Sequence, residues 1–181
     1  MNRITKATAA VLLLALVTGC ASVSAQEASS STPTTTENPY GGFAVDNPAD
    51  NEVILTITGS KGTQNFSISQ LKTLAVEEFT IMEPFAKETQ TFRGVPLSTL
   101  FALVGIEGDD KVSTVALNDY KFDDLAANFT GSNGILAFER DGEAIAMDKG
   151  GPIRIVFPTD SEYFSYLDSW NWSLRTISVV K

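Results

Sequence analysis

Histidine is absent from this chain of 181 residues, and Cys20 is its only cysteine. Those two gaps exclude His- or Cys-ligated metal centres, Ser-His and Cys-His nucleophilic systems, imidazole acid–base catalysis and any disulfide within the chain. Carboxylate chemistry survives, although no EF-hand spacing is present. Basic residues are also scarce: 13 Lys and Arg stand against 22 Asp and Glu, a formal net charge of −9, which makes nucleic acid a poor partner. No apolar run is long enough to span a bilayer comfortably. What remains is 43% apolar, the composition of a globular protein rather than a disordered one, and the length suits one domain.

The longest apolar stretch, "AAVLLLALV", follows Arg3 and Lys6 and leads into small residues, the pattern of an export signal over residues 1–19. It ends in "LVTGC", which resembles the lipobox of bacterial lipoproteins and implies acylation of Cys20 as the mature N-terminus. Ordinary cleavage after "VSA" at Ala25 is the alternative, and it would release a soluble protein. With lipid on Cys20, each buried CH₂ adds about 0.8 kcal/mol, so two or more acyl chains give stable anchoring in the cell envelope. Residues 20–51 then form the tether. Their "SSSTPTTTENPYGG" is Ser/Thr/Pro-rich and lacks helical or strand periodicity, and such a linker of about 30 residues reaches on the order of 30 Å.

From Glu52 to Lys181 the pattern is that of a folded domain. Val53, Leu55 and Ile57 alternate along "EVILTIT", and "GSKG" turns the chain back into "TQNFS", an opening hairpin. Ser67 and Gln70 form a capping-box pair that starts a short helix through "ISQLKTL". "VEEFTIME" reads as a strand and "PFAKET" as a loop. In "VPLSTLFALVG", Pro96 suits the first helical turn, Leu97, Leu100, Phe101 and Val104 repeat at helical spacing, and Gly105 suits a left-handed cap. "KVSTVALND" predicts a strand, "YKFDDLAANFTGSN" a loop, and "GILAFERDGEAIA" a hairpin turning at Asp141-Gly142. "IRIVFP" predicts a core strand, and "TDSEYFSYLDSW" an aromatic loop before a last strand, "NWSLRTISVV". Strands outnumber short helices, so the expectation is an α+β domain with a mixed, mostly antiparallel sheet.

Taken in order, "ISQLKTL", "TFRGVPLSTLFALVG", "VSTVALNDY", "GILAFERDGEAIAMDKGGPIRIVFP" and "SWNWSLRTISV" resemble the sulfite-oxidase-type molybdopterin-binding domain over about Glu52 to Lys181. The resemblance implies a cofactor pocket formed by loops and a molybdenum ligated by a cysteine thiolate shortly before the "GVPL"-type turn. Counting back places that position near Met82, whose neutral thioether is a poor ligand for a hard, oxidised metal. The chain looks more like a subset of small exported proteins of this fold that lack the cysteine. These bind a pterin without molybdenum and regulate a membrane-bound partner that makes or degrades a cyclic dinucleotide.

A pterin is a flat bicycle with a hydrogen-bonding edge. Its site needs an aromatic face, a carboxylate or amide acceptor, and closely approaching backbone. Trp170 and Trp172, two apart, face the same side if they share a strand, as a stacking platform or as core. Gly150 and Gly151 permit close backbone approach to a ligand, or serve a tight turn. Asn118, Asp119 and Tyr120 end a strand where a side chain can hold the aminopyrimidine edge, or where an Asx-rich turn forms. Arg93 can donate to a ligand carbonyl or sit in a surface salt bridge. Tyr163, Phe164 and Tyr166 belong to a lid or interface if exposed and to the core if buried.

The expected function is a lipid-anchored, non-catalytic pterin-binding module that reports occupancy by a reduced, molybdenum-free pterin to the envelope-exposed domain of a membrane signalling protein. Two alternatives stand beside it: a molybdopterin-dependent oxidoreductase without cysteine ligation, and a structural envelope domain whose cofactor site is lost. The last predicts that Trp170 and Trp172 are both buried and that no cleft opens beside Gly150 and Gly151.

Overall fold

The structure, a computed structural model, describes residues 46–180. The export signal, Cys20 and most of the tether lie outside the described residues. Residues 46–51, which composition assigns to the tether, rest on the domain: the Asn47 side chain accepts from the Met147 N–H at 3.0 Å, and the Asp50 carbonyl accepts from the Ser69 N–H at 2.9 Å. No helix among the described residues is long and apolar enough to cross a membrane.

Two five-stranded sheets carry the core. In the first, β1 (Leu55–Gly59) pairs with β2 (Gly62–Phe66) on one side and runs parallel to β10 (Leu174–Val179) on the other. The antiparallel strands β5 (Lys111–Ala116) and β6 (Lys121–Leu125) continue that sheet beyond β10. In the second sheet β7 (Ile135–Arg140) is central, with β4 (Thr89–Pro96) and then β3 (Glu77–Met82) on one side. The short strands β8 (Glu143–Ala144) and β9 (Arg154–Val156) also pair with β7. This is the α+β architecture that the alternating patterns imply. Along β1, Leu55 and Ile57 point inward with no exposed surface, and Leu136 on β7 and Ile155 on β9 are equally buried.

Local signals account for most joints. Ser67 and Gln70 form the reciprocal capping box that opens α1 (Ile68–Leu71). The second helix, α2 (Leu97–Val104), buries Leu97, Leu100, Phe101 and Val104 and ends at Gly105 with φ 71°. Pro96 is the residue before this helix rather than inside it; its fixed φ ends β4 and aims the chain into the first turn. Asp141 and Gly142 both take left-handed φ, 54° and 82°, as a two-residue hairpin with right-handed strand twist requires.

One segment corrects the sequence reading. "YKFDDLAANFTGSN" is not a loop: it forms β6 and then α3 (Ala126–Gly131). Phe122 is pulled under the sheet opposite Thr114, its ring edge-on to Phe129 at 5.8 Å, and α3 buries only Ala126 and Phe129. Two inward positions and no side-chain cap leave almost no periodic signal.

Candidate functional site

Sequence places a charged residue at each of two positions that the fold buries completely. Glu83 follows β3 and Arg154 opens β9; neither side chain has exposed surface, and they pair at 2.9 Å. A buried ion pair survives only where the remaining polar capacity is also used. The second Glu83 oxygen accepts from the backbone N–H groups of Phe85, at 2.8 Å, and Ala86, at 2.5 Å. The Arg154 guanidinium lies over the rings of Trp172, Phe92 and Trp170, at 4.6, 5.5 and 5.9 Å.

The same carboxylate shapes the loop after it. The loop closes on itself through Glu83 N–H to the Glu88 carbonyl and Lys87 N–H to the Glu83 carbonyl, both 2.8 Å. Phe85 is thereby held edge-on against Trp172 at 4.5 Å and Trp170 at 6.0 Å.

Beside these rings lies a cleft of about 350 Å³, lined by Phe85, Ala116, Asn118, Tyr120, Leu167, Asp168, Trp170 and Trp172. Asn118 and Tyr120 come from the β5–β6 turn, where the Asn118 side-chain oxygen accepts from the Tyr120 N–H at 3.1 Å. The Tyr120 hydroxyl donates to the Asp168 carbonyl at 2.9 Å, joining that turn to the 3-10 turn Leu167–Ser169. Burial, then the Asp168 carboxylate, raises the Tyr120 hydroxyl above the ordinary tyrosine range. A larger groove of about 520 Å³ runs along Asp46–Ala49, β1 and β10 but has no aromatic ring in its wall, so it offers a flat heterocycle no stacking face.

Of the residues singled out in the sequence, Trp170, Trp172, Asn118 and Tyr120 come together at the cleft. The tryptophans do so for a different reason than strand alternation. β10 begins only at Leu174, because Asn171 ties the preceding chain to Thr114 through two side-chain hydrogen bonds and Ser173 adopts φ 48°. Trp170 is also core: it is 3% exposed, and its indole N–H donates to the Tyr163 carbonyl at 3.0 Å. Trp172 is half-buried.

Asp119 turns away from the cleft at φ 65° and pairs with Arg175 at 2.5 Å. Gly150 and Gly151 do not line the cleft either. Gly150 lies behind Trp172, and Gly151 packs on the Ile145 backbone. The aromatic loop divides: Tyr163 is buried, Phe164 packs on Trp170 at 5.8 Å, and Tyr166 is exposed.

Arg93 is the clearest departure. It pairs with Glu139 at 2.8 Å, beside Lys72 at 3.0 Å, and lies over Phe138. Burial pushes the Glu139 carboxyl up, but hydrogen bonds from Arg93 and Lys72 outweigh it and hold the carboxyl below its ordinary range. Arg93→Gln is therefore expected to cost at most about 1 kcal/mol and to leave ligand binding unchanged. A group with a depressed folded pKa stabilises above its unfolded value, about 4.3 for Glu, so this small contribution is lost as pH falls through the lower folded pKa. Urea titrations of both proteins between pH 7 and 3 should converge at the acid end.

The sequence reading misses Glu83, Phe85, Arg154 and Asp168. Arg154 carried a usable signal, a lone charge inside the apolar run "IRIVFP", which demands a buried counter-charge. Phe85 and Asp168 sit in loops and carried none. The donor set does not fit a metal held through this protein's own thiolate: the described residues include no cysteine or histidine, no cluster of three or more acidic side chains, and at the expected position a Met82 side chain that is 56% exposed. No lysine or arginine lines the cleft to receive a phosphate tail.

No curated protein matches the sequence. The fold is similar to that of the sulfane dehydrogenase SoxCD from Paracoccus pantotrophus, with a TM-score of 0.58 and 19% identity over 75% of this chain. The match takes in 40% of the SoxCD chain, so this chain spans less than half of that protein. The family model for the oxidoreductase molybdopterin binding domain matches residues 44–166. By that match, across most of the folded part, the chain belongs to the family of oxidoreductase molybdopterin-binding domains.

Proposed function

We propose that the chain is a non-catalytic pterin-binding module of the cell envelope, anchored by lipid on Cys20, that reports ligand occupancy to the exposed domain of a membrane signalling protein acting on a cyclic dinucleotide. One observation carries the ligand claim: the cleft combines four aromatic residues with one carboxylate and one amide, and no cationic side chain lines it. A reduced pterin without metal or phosphate matches that chemistry. Its bicycle packs on aromatic surface, and its aminopyrimidine edge supplies donors for the Asp168 carboxylate and the Asn118 side chain. Leu167, 43% exposed where it lines the cleft, and its exposed chain neighbour Tyr166 support the partner claim, since a partner seated there would contact the loop that carries Asp168. Trp172, only half-buried where it lines the cleft, also argues against a purely structural domain, although Gly150 and Gly151 do not line that cleft.

Calorimetric titration with tetrahydro- and dihydropterins tests the reading. Saturable binding is expected. Trp172→Ala should weaken it by about 3- to 10-fold, the scale of one aromatic contact. Asp168→Asn should weaken it by about 10- to 100-fold, the scale of a hydrogen bond to a charged acceptor. No saturation with any pterin removes the ligand claim. Near-stoichiometric molybdenum in protein from a cofactor-competent host would replace it with an oxidoreductase.

A further inference from the structure

We infer that Phe85 is the specificity-determining residue of the cleft, a fixed wedge that admits a two-ring heterocycle and rejects a third fused ring; this rests on the pterin reading above. The cleft measures about 350 Å³, near the lower end of the roughly 300–1,000 Å³ range of small-molecule sites, so the position of one wall decides what fits. Most of that wall comes from Trp170, Trp172 and short turns tied into the first sheet. Phe85 differs, because it stands on a separate loop and enters the aromatic cluster from the other sheet's side.

Three features make it a wedge rather than a mobile lid. Its own N–H and that of Ala86 are fixed on the Glu83 carboxylate, which is itself fixed on Arg154. The loop ends are joined by the Glu83 N–H to Glu88 carbonyl bond. The ring meets both indoles edge-on, the preferred geometry for aromatic pairs, so displacing it forfeits two contacts at once. A ligand reaching the tryptophans therefore stops at Phe85. Glu83 acts through Phe85 as a positioning residue.

The test compares pterin with its benzo-fused analogue, 2-aminobenzo[g]pteridin-4-one, which keeps the aminopyrimidine edge and adds only one ring. Dissociation constants are measured for the wild type, Phe85→Ala and Phe85→Leu, with circular dichroism confirming the fold of each. The wild type is expected to prefer the two-ring probe by about tenfold or more, Phe85→Leu by less, and Phe85→Ala to bind both within about threefold of each other. If both probes bind the wild type equally, or the preference is unchanged in both variants, the wedge assignment fails while the pterin reading stands. If neither probe nor any reduced pterin binds the wild type, the pterin reading falls and this inference with it.

Discussion

Glu83→Leu is expected to destabilise the domain by about 3–5 kcal/mol, the cost of stranding one charge of a buried pair. The loss has two parts. Arg154 has no exposed surface, so without its counter-charge the guanidinium must carry its charge uncompensated in a low-dielectric site or drag water into the core. The Phe85 and Ala86 N–H groups also lose the acceptor that holds the loop against the tryptophans. Arg154→Met should cost a comparable amount by leaving the carboxylate unpaired. Replacing both, as Glu83→Leu with Arg154→Met, is expected to recover most of the loss, because a hydrophobic pair avoids the desolvation penalty. Urea unfolding of the single and double variants measures the coupling. If the two single losses simply add in the double variant, the pair is not the unit described.

The double variant also separates stability from site geometry. It restores the buried volume but not the carboxylate that orders the loop, so its preference between two- and three-ring ligands should relax even where its unfolding midpoint recovers. A role confined to packing predicts that the two recover together.

How much of this was legible in the sequence follows from where each signal resides. Elements whose reason is local could be read: the Ser67–Gln70 cap, the Leu97-to-Val104 stripe with Gly105 behind it, and the Asp141-Gly142 turn all appear where their residues predict. Elements whose reason is tertiary could not. β6 and α3 exist because Phe122 and Phe129 find each other and Tyr163 beneath the first sheet, a contact between segments about 40 residues apart. The site divides in the same way. Trp170, Trp172, Asn118 and Tyr120 are conspicuous as residue types, whereas Asp168 resembles any exposed loop aspartate until its turn is folded back on Tyr120. Arg93 failed in the opposite direction: it is conspicuous in "TFRG", yet β4 places it opposite Glu139 in the second sheet, where the nearest carboxylate captures it.

The glycine pair carries the other large effect, and it reassigns what "KGGP" is for. A Cβ on Gly151 would lie 2.0 Å from the Ile145 carbonyl oxygen and 2.7 Å from its carbon, both backbone atoms that cannot rotate away. Gly151→Ala must therefore push apart the segment entering β9 and the segment leaving β8. A loss of about 3 kcal/mol is expected, the upper range for overpacking. Gly150→Ala meets softer resistance. Its Cβ would sit 3.2 Å from Trp172 Cγ, and its φ of 84° costs an L-residue about 1–2 kcal/mol. Because Gly150 backs the ring that faces the cleft, this second variant should displace Trp172 and weaken pterin binding along with stability. If the glycines instead served to bring backbone N–H groups to the ligand, Gly151→Ala would keep its unfolding midpoint and lose only affinity, whereas Gly150→Ala loses stability through its left-handed φ under either reading. Thermal unfolding beside calorimetric titration distinguishes the two outcomes, and the packing argument requires that Gly151→Ala lose the more stability of the pair.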